Sequence, residues 1–457
     1  MSSLSVVILA AGQGKRMRSA LPKVLHLLAG KPIAAHVIDV ARGLAPRAIA
    51  LVYGHGGDEV RKRLAADGLA FVLQDPPRGT GDAVRKALPA LPARGTTLIL
   101  LGDVPLVPAD ALAKLVRRAD AGALAVLTAR VRRPHGLGRV VRDAKGRVQA
   151  IVEERDATAA QKRIDEINTG VMAAPTAKLA SWVARLKDDN TQREFYLTDA
   201  IAMAVADGVP VEGVMHGDED DVLGINDRLQ LARAERVLQR RRAEALLEAG
   251  TWIADPDRFD LRGTLRCGRD VRIDAGCILE GDVKLGDGVT IGAHCVLADV
   301  TIGAGTTVAP FSHLESASVG RDCRIGPYAR LRPGAELADE VHIGNFVEVK
   351  ATRMGRGAKA NHLAYLGDAE VGANVNYGAG SITANYDGAN KHRTVIGDNV
   401  HIGSNCVLVA PLTVGAGATV GAGSALSEDV PPGGLTLARP KALTIGDWKR
   451  PVKKAKG

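Results

Sequence analysis

Residues that could bind phosphate lie close to the start of the chain. An apolar run at residues 5–9 leads into a loop in which Gly12 and Gly14 are followed by Arg16 and then by Lys23. A glycine loop between a strand and a helix presents backbone N–H groups to anions, and basic side chains neutralise their charge. The third glycine of a dinucleotide-binding motif is missing, so this loop by itself is weak evidence, and a purely structural turn is the alternative.

The longer pattern around this loop resembles the signature of the nucleotide-sugar pyrophosphorylases. The residues that carry the resemblance are Leu9, Ala10, Ala11, Gly12, Gly14, Arg16, Met17, Leu21, Pro22 and Lys23. In that family a sugar 1-phosphate attacks the α-phosphorus of a nucleoside triphosphate held by the loop. The resemblance therefore implies catalytic roles for Arg16 and Lys23, whose charges would stabilise the phosphates in the transition state.

Further stretches of the first half match the same family. Gln74, Gly79 and Thr80 resemble the loop that contacts uracil, and Gly138, Glu153 and Asn168 resemble the residues that contact the sugar. One residue departs from the pattern, because Leu101 stands where some relatives have tyrosine. The resemblance implies that UTP and the UDP-sugar are bound by Leu9, Ala10, Ala11, Gly12, Lys23, Gln74, Gly79, Thr80, Leu101, Gly102, Asp103, Gly138, Glu153, Asn168 and Asn226.

Two of these residues are also expected to hold a metal ion. Asp103 follows a predicted strand, where ligands bind in open α/β sheets, and the family binds magnesium through an aspartate and a distant asparagine, here Asp103 and Asn226. Mg²⁺ needs few protein oxygens when phosphates and water complete its coordination. The alternative is that Asp103 caps a turn and Asn226 only begins a helix.

A histidine in the second half could act as a general base. His362 lies in a polar segment, and imidazole titrates near neutral pH, as the removal of a proton from an attacking amine requires. The residues around it, in Arg332–Gly334, Asn345–Lys350, His362–Asp368 and Asn385–Gly388, closely resemble the acetyltransferase half of the bacterial bifunctional N-acetylglucosamine-1-phosphate uridyltransferases and glucosamine-1-phosphate acetyltransferases. This resemblance extends over nearly the whole chain.

The resemblance implies further roles around His362. Arg332 and Lys350 would bind the phosphate of the acceptor sugar, and Tyr365 and Asn376 would position its hydroxyl groups. The acetyl-CoA site would comprise Ala379, Asn385, Tyr386, Ser404, Ala422 and Arg439. For Ala379 and Ala422, packing within the fold is an equally good explanation. The basic residues at 449–454 either close over coenzyme A phosphates or are disordered.

The first half has the pattern of an α/β fold. Apolar runs at residues 48–53, 98–101 and 123–127 alternate with helical patterns such as the one at 110–118. This alternation predicts a Rossmann-like nucleotidyltransferase domain with a mostly parallel sheet. We expect it to span residues 1–226, followed by a linker helix at 227–250 that Gly250 ends.

The second half has a six-residue repeat. Ile396, Ile402, Leu408, Val414 and Val420 recur at intervals of six, and similar runs begin at residues 273 and 319. Such hexads predict a parallel β-helix with aliphatic residues inside the coil, over residues 251–457, and the resemblance implies that it is left-handed. Residues 353–393 depart from the repeat and are expected to form loops, with His362 among them. Four cysteines fall where small interior side chains are needed, which indicates structural roles.

Composition excludes several other classes of protein. The net charge is +9, but the basic residues are dispersed and aromatic residues make up 3% of the chain, which argues against binding of nucleic acid. The apolar start lacks a basic region and is too short to span a membrane, so we expect no membrane insertion and a cytoplasmic location. The five cysteines lack metal-ligand spacing.

The resemblance implies a bifunctional transferase. Such an enzyme would acetylate glucosamine 1-phosphate from acetyl-CoA, and the resulting N-acetylglucosamine 1-phosphate would react with UTP to give UDP-N-acetylglucosamine and pyrophosphate. The resemblance also implies a homotrimer whose acetyl sites combine more than one subunit. Two alternatives remain, a nucleotidyltransferase whose β-helix only oligomerises, and a binding protein in which both sites are inactive.

Overall fold

The computed structural model describes residues 3–12, 14–54 and 57–451. The chain divides into two compact units, Met1–Leu238 and Gln239–Gly457. The division falls inside the predicted linker helix at 227–250, which is observed as a helix over Arg228–Glu248. Of the predicted basic tail, residues 452–454 lie outside the described residues. None of the helices in the described ranges combines the length and apolar character that a bilayer crossing requires.

The first unit alternates strands and helices. Its strands are β1 (Leu4–Ala10), β2 (Leu27–Leu28), β3 (Lys31–Pro32), β4 (Ala48–Gly54), β5 (Leu69–Gln74), β6 (Thr96–Leu101), β7 (Leu124–Arg130), β8 (Arg139–Arg142), β9 (Val148–Val152), β10 (Glu166–Pro175) and β11 (Val211–His216). Its helices are α1 (Ile33–Gly43), α2 (Asp58–Leu64), α3 (Thr80–Ala87), α4 (Ala109–Asp120), α5 (Thr176–Arg185), α6 (Asp199–Ala206), α7 (Glu219–Val222) and the first part of α8 (Arg228–Glu248).

A mostly parallel sheet lies at the centre of this unit. Its strand order is β11-β7-β10-β6-β1-β4-β5, with β10 antiparallel to both neighbours. Strand β8 also pairs with β10, and β9 pairs with β8. Successive residues of β1 enter opposite cores, since Val6 and Ile8 belong to one apolar cluster and Val7 to the other. Helices therefore cover both faces, which explains why β1 is a continuous apolar run.

The second unit is a parallel β-helix. Its strands are β12 (Trp252–Ile253), β13 (Asp260–Cys267), β14 (Arg272–Ile273), β15 (Ile278–Leu285), β16 (Thr290–Ile291), β17 (Val296–Ala298), β18 (Thr301–Ile302), β19 (Thr307–Val308), β20 (His313–Glu315), β21 (Ser318–Val319), β22 (Arg324–Ile325), β23 (Arg330–Leu331), β24 (Glu336–Leu337), β25 (His342–Asn345), β26 (Glu348–Lys350), β27 (Arg353–Met354), β28 (Lys359–His362), β29 (Tyr365–Gly367), β30 (Ala369–Val371), β31 (Asn376–Tyr377), β32 (Ile382–Ala384), β33 (Thr394–Ile396), β34 (His401–Ile402), β35 (Val407–Val409), β36 (Leu412–Val414), β37 (Thr419–Val420), β38 (Ala425–Leu426) and β39 (Leu435–Thr436).

These strands stack coil upon coil around one apolar core. Each strand of the 11-stranded sheet pairs in parallel with its equivalents in the coils above and below, as Ile325 with Ile343. The aliphatic residue of each hexad points inward and is buried, which confirms the predicted β-helix. Cys277 and Cys295 lie in the same core, and burial raises the pKa of their thiols to about 11 and about 12. These cysteines are structural, as predicted.

The structure corrects the expectation that residues 353–393 form loops. Strands β27 to β32 run through this segment, and its inward positions are occupied by residues such as Ala358, Ala360 and Leu366. Alanine fills the coil interior but weakens the aliphatic pattern, which is why the repeat could not be read there. Residues at equivalent positions of adjacent coils, such as Asn345 and His362, are 17 residues apart. Asn376 and His401 are also equivalent but are 25 residues apart, because one longer turn is inserted between β32 and β33. His362 therefore lies on a strand.

Candidate active sites

The glycine loop in the first unit approaches Lys23 closely. Gly14 has a left-handed backbone (φ 62°), and a Cβ atom there would lie 2.6 Å from the Cβ of Lys23. Only glycine fits at this position without a shift of the backbone. The loop leads into a single 3₁₀ turn at Lys15–Met17 and not into the expected α-helix. Backbone N–H groups and basic side chains, without a helix dipole, must therefore provide the attraction for phosphate.

Lys23 connects two residues that come from distant parts of the chain. The side chain is buried, and its Nζ donates to Asp103 Oδ2 and, at 2.9 Å, to Asn226 Oδ1. Asp103 follows β6, and the backbone carbonyl of Asp103 accepts a hydrogen bond from the N–H of Ile225, next to Asn226. The tertiary structure thus brings the three residues together at the carboxyl ends of the strands, as predicted for a ligand site in an open sheet.

The oxygens of Asp103 and Asn226 are suited to a hard cation. Both converge on one cationic atom, the Nζ of Lys23, and one carboxylate plus one amide oxygen is a donor set that Mg²⁺ accepts when phosphates complete its shell. Across the described ranges no group of three or more His, Cys, Asp or Glu side chains is arranged to hold a metal. The oxygens of Asp103 and Asn226 fit the requirements of magnesium.

Two adjoining cavities open beside this cluster. One has a volume of about 510 Å³ and includes the glycine loop, and the other has a volume of about 220 Å³. Leu9, Thr80, Leu101 and Asp103 line both cavities, so the two form one continuous cleft. The larger is also lined by Ala10, Ala11, Gly12, Lys23, Gln74 and Gly79, and the smaller by Gly138, Glu153, Asn168 and Asn226.

The predicted uracil loop forms one wall of the larger cavity. Gln74 Nε2 donates to the carbonyl oxygen of Gly79 at 2.9 Å and to Asp82 Oδ2 at 3.0 Å. Gly79 has φ 98°, and a Cβ atom there would lie 2.7 Å from the carbonyl oxygen of Phe195. Thr80 Oγ1 accepts a hydrogen bond from the N–H of Leu197. These bonds hold the loop rigidly, and the amide oxygen of Gln74 is left as its acceptor for a ligand.

The smaller cavity contains the predicted sugar residues. Thr198 Oγ1 donates to Glu153 Oε1 at 3.3 Å, and burial raises the pKa of the Glu153 carboxyl. Asn168 is held by the main chain, since its N–H donates to the carbonyl oxygen of Gly138 and its Oδ1 accepts from the N–H of Gly170. A partly buried carboxyl and a fixed amide provide the hydrogen-bonding groups that a sugar requires.

Two of the predicted residues are not in this cleft. Arg16 is exposed and lines neither cavity. Gly102 packs against β1 instead, where its N–H donates to the carbonyl oxygen of Leu9 at 2.8 Å. Leu101, the departure from the family pattern, lies at the junction of the two cavities and presents an apolar side chain there.

In the second unit His362 is paired with Asn345. The two residues occupy equivalent positions in adjacent coils, and His362 Nδ1 lies 3.0 Å from Asn345 Oδ1. An amide oxygen only accepts hydrogen bonds, so Nδ1 carries the hydrogen and Nε2 has a free lone pair. His362 is exposed. A general base needs this arrangement. The sequence analysis included Asn345 in a motif but did not predict its contact with His362.

Small residues continue the row that begins with Asn345 and His362. Ala379, Ser404 and Ala422 each lie two residues after an inward side chain, in the next three coils. Backbone hydrogen bonds connect this row from one coil to the next; for example, the N–H of Asn405, the residue after Ser404, donates to the carbonyl oxygen of Ala379. Arg439 is exposed at the end of the row, near Gly421 and Gly423. The structure thus places these predicted acetyl-CoA residues along one strip.

The predicted phosphate-binding residues lie on another face of the coil, on β23 and β26 and their neighbours. Arg332 Nη1 donates to Glu348 Oε1 at 2.7 Å, and Lys350 Nζ donates to Asp368 Oδ2 at 3.3 Å. A third cation was missed: Lys391, in the inserted turn, contacts Lys350, whose ammonium lowers the pKa of Lys391. Three cations in one place, incompletely neutralised, favour an anionic ligand.

The remaining predicted residues divide between these two faces. Asn385 Nδ2 donates to Asp368 Oδ2 and lies 3.4 Å from the hydroxyl of Tyr365, beside the three cations. Asn376 Nδ2 lies 3.3 Å from His401 Nδ1, on the face of His362. Tyr386 is exposed in the inserted turn, where its hydroxyl donates to the carbonyl oxygen of Gly388. The turn between β28 and β29 separates the two groups.

Comparisons with known proteins identify the family of this chain. The family model of the MobA-like NTP transferase domain matches residues 6–190, that of the GMPPB C-terminal domain residues 261–358, and that of the bacterial transferase hexapeptide (six repeats) residues 393–427. Proteins named bifunctional protein GlmU are 58% identical in Methylibium petroleiphilum and 56% identical in Ralstonia pickettii, each over 99% of this chain and 100% of the relative. The chain belongs to the bifunctional GlmU family.

Membership of the GlmU family confirms the predicted class of enzyme. The family comprises bifunctional transferases, with uridyltransferase and acetyltransferase activities that produce UDP-N-acetylglucosamine from small-molecule substrates, including UTP and acetyl-CoA. The predicted fold class, an α/β nucleotidyltransferase domain followed by a hexapeptide β-helix, is also confirmed.

Proposed function

We propose that the two activities are located in separate parts of the chain. Residues 1–226 would transfer the uridylyl group, residues 251–457 would transfer the acetyl group, and residues 227–250 would link them. The observation that carries this assignment is the pair of unlike polar sites. One holds Lys23 between Asp103 and Asn226 beside a double cavity, and the other presents the free Nε2 of His362.

In the first site a phosphate oxygen of N-acetylglucosamine 1-phosphate attacks the α-phosphorus of UTP. The new P–O bond forms as the bond to the β-phosphate breaks, and pyrophosphate leaves. Lys23 and the N–H groups near Gly12 stabilise the charge that develops on the phosphates. Uracil occupies the larger cavity against Gln74, and the sugar occupies the smaller one between Glu153 and Asn168. Catalysis by Arg16 rests on the family resemblance, because its side chain lines neither cavity.

Magnesium is part of this proposal. Asp103 and Asn226 would hold the ion, which when bound neutralises phosphate charge and orients the triphosphate. Lys23 now donates to both of these oxygens. We therefore propose that the Lys23 side chain moves toward the phosphates when its two acceptors bind the metal, so that no acceptor is left unpaired.

In the second site the amine of glucosamine 1-phosphate attacks the thioester carbonyl of acetyl-CoA. The N–C bond forms, the C–S bond breaks, and His362 Nε2 takes a proton from the nitrogen and makes it available to the leaving sulfur. Asn345 holds the imidazole in the required tautomer. Arg332 and Lys350 bind the sugar phosphate, aided by Lys391, and Tyr365 and Asn376 position the sugar hydroxyls.

Coenzyme A would follow the strip of small residues. Ala379, Ser404 and Ala422 leave room for an extended pantetheine chain, and Arg439 supplies charge for its phosphates. Asn385 is buried beside Tyr365, where it would contact both substrates, and Tyr386 would close over the thioester from the inserted turn.

We also propose that the enzyme is a homotrimer in the cytoplasm. The base and the cations lie on different faces of one coil, separated by the turn between β28 and β29, so a second subunit is needed to bring a base opposite the sugar phosphate. A hexapeptide-repeat domain is consistent with oligomerisation. The five cysteines are all free, which agrees with a reducing compartment.

The test is a pair of assays on the wild type and on His362→Ala. Thiol release is followed with acetyl-CoA and glucosamine 1-phosphate, and pyrophosphate release with UTP and N-acetylglucosamine 1-phosphate. We expect His362→Ala to lose thiol release by about 10²- to 10⁴-fold and to keep pyrophosphate release. His313→Ala, a change of an exposed histidine on β20, is the matched control and should keep both. A wild type without thiol release would instead make the β-helix a structural module.

A further inference from the structure

A buried arginine adjoins the residues of the proposed sugar cavity. Arg139, the first residue of β8, is only 2% exposed and lines neither of the two cavities. Its Nη1 donates to the carbonyl oxygen of Leu137, and its Nη2 donates to Glu154 Oε2 at 2.5 Å. One planar guanidinium therefore joins the segment before β8 to the segment that follows β9.

Two residues of the proposed sugar site are chain neighbours of the groups that Arg139 binds. Gly138 lies between Leu137 and Arg139, and Glu153 immediately precedes Glu154. The two residues also face each other, because a Cβ atom on Gly138 would lie 3.3 Å from Glu153 Oε1. A shift of either acceptor of the guanidinium would therefore displace a wall of the smaller cavity.

The backbone of Arg139 aligns the same site. Arg139 pairs in the sheet with Ile167 of β10 and with Val152 of β9. The residues that follow these two partners in the chain are Asn168 and Glu153, both of which line the smaller cavity. The backbone of this one residue thus sets the spacing of the strands, and its side chain fixes the segments at their ends.

These contacts are not explained by stability alone. A buried cation loses its hydration, and apolar side chains of similar volume are often at least as stabilising as a buried ion pair. The Nε atom of Arg139 is also buried and has no hydrogen-bond partner within the described ranges. What arginine provides, and an apolar residue or lysine does not, is a rigid fork that binds two acceptors in fixed directions.

We propose that Arg139 is a positioning residue for the sugar of the nucleotide sugar. Groups that bind a ligand must be held to within about 0.5 Å by the residues around them. Arg139 holds Gly138 and Glu153 at the separation that admits the sugar ring, without touching the ligand itself. This inference rests on the sugar cavity proposed above and adds the residue that maintains its geometry.

The experiment compares the binding of UDP-N-acetylglucosamine with that of UDP by calorimetry, in the presence of magnesium. Only the first ligand occupies the sugar cavity. Arg139→Lys keeps the charge but replaces the fork by a single ammonium group. It should raise Kd for UDP-N-acetylglucosamine about tenfold or more and leave Kd for UDP unchanged. In the pyrophosphate assay, KM for N-acetylglucosamine 1-phosphate should rise, whereas KM for UTP should not.

Arg142→Lys is the matched control, because Arg142 lies on the same strand and makes the same kinds of contact. Its guanidinium joins the carboxylate of Glu166, at 2.6 and 2.8 Å, to the carbonyl oxygen of Gly146. Neither Arg142 nor these two partners line the cavities. The control should therefore leave Kd for both ligands unchanged, although it removes an arginine fork from the same small sheet.

The outcomes separate this inference from the proposed function. A wild type that binds UDP-N-acetylglucosamine more tightly than UDP, with the same preference in Arg139→Lys, overturns the positioning role and leaves the sugar cavity standing. An equal loss of both ligands in Arg139→Lys, or the same change in Arg142→Lys, also overturns it, because either result indicates a general effect on the fold. A wild type that binds both ligands equally overturns the sugar cavity and this inference together.

Discussion

The hydrogen bond between Asn345 and His362 predicts a graded loss of acetyl transfer. With Asn345 Oδ1 at 3.0 Å from Nδ1, the tautomer with a free Nε2 is stabilised. A hydrogen bond of this kind contributes about 1 kcal/mol, or about fivefold in the population of the competent tautomer. Loss of the bond also frees the imidazole to rotate. We therefore expect Asn345→Ala to lower kcat for thiol release about tenfold, well short of the loss in His362→Ala.

The assay is thiol release with both substrates saturating, followed as a function of pH. KM for glucosamine 1-phosphate should change little, because the cations proposed to bind its phosphate lie on another face of the β-helix. Asn345→Asp keeps an acceptor and should keep most of the activity. Its carboxylate would attract a positively charged ring, so we expect the acidic limb of the rate profile to move to higher pH. An Asn345→Ala variant with wild-type kcat would refute the positioning role, and unchanged pyrophosphate release would show that the loss is confined to the acetyl site.

Other predictions concern the first unit. Lys23→Ala should lower pyrophosphate release by about 10²- to 10³-fold and leave thiol release unchanged, measured on one preparation; equal losses in both assays would indicate misfolding instead. Excess chelator should abolish pyrophosphate release reversibly, with thiol release as the control. Burial raises the pKa of Glu153, so the folded state binds more protons than the unfolded state above the ordinary glutamate pKa of about 4.3. As the pH rises above this value, the free energy of unfolding should therefore fall more in the wild type than in Glu153→Gln. The measurement is urea unfolding of both proteins at several pH values, and an equal pH dependence in the two would contradict the prediction.

Local pattern was sufficient for much of the fold. The continuous apolar run of β1 implies burial on both faces, and a parallel sheet with helices on both sides meets that requirement. The hexads from residue 396 likewise allow one solution, because an aliphatic residue at every sixth position can be buried only inside a coil. The pattern failed over residues 353–384, where alanine fills the interior and the hydrophobic contrast that marks the repeat disappears.

The sequence by itself determined which residue types are available for chemistry and which family they resemble. Their convergence was decided by tertiary structure. Lys23, Asp103 and Asn226 meet because β6 and the segment before α8 end at the same edge of the sheet, and no local pattern encodes that distance. The pairing of His362 with Asn345, the approach of Lys391 to Lys350, and the exclusion of Arg16 from the cleft all depend on which strands become neighbours. The coil repeat can be recognised from the spacing of residues along the chain. The contacts of each side chain cannot, because they depend on how the coils pack around it.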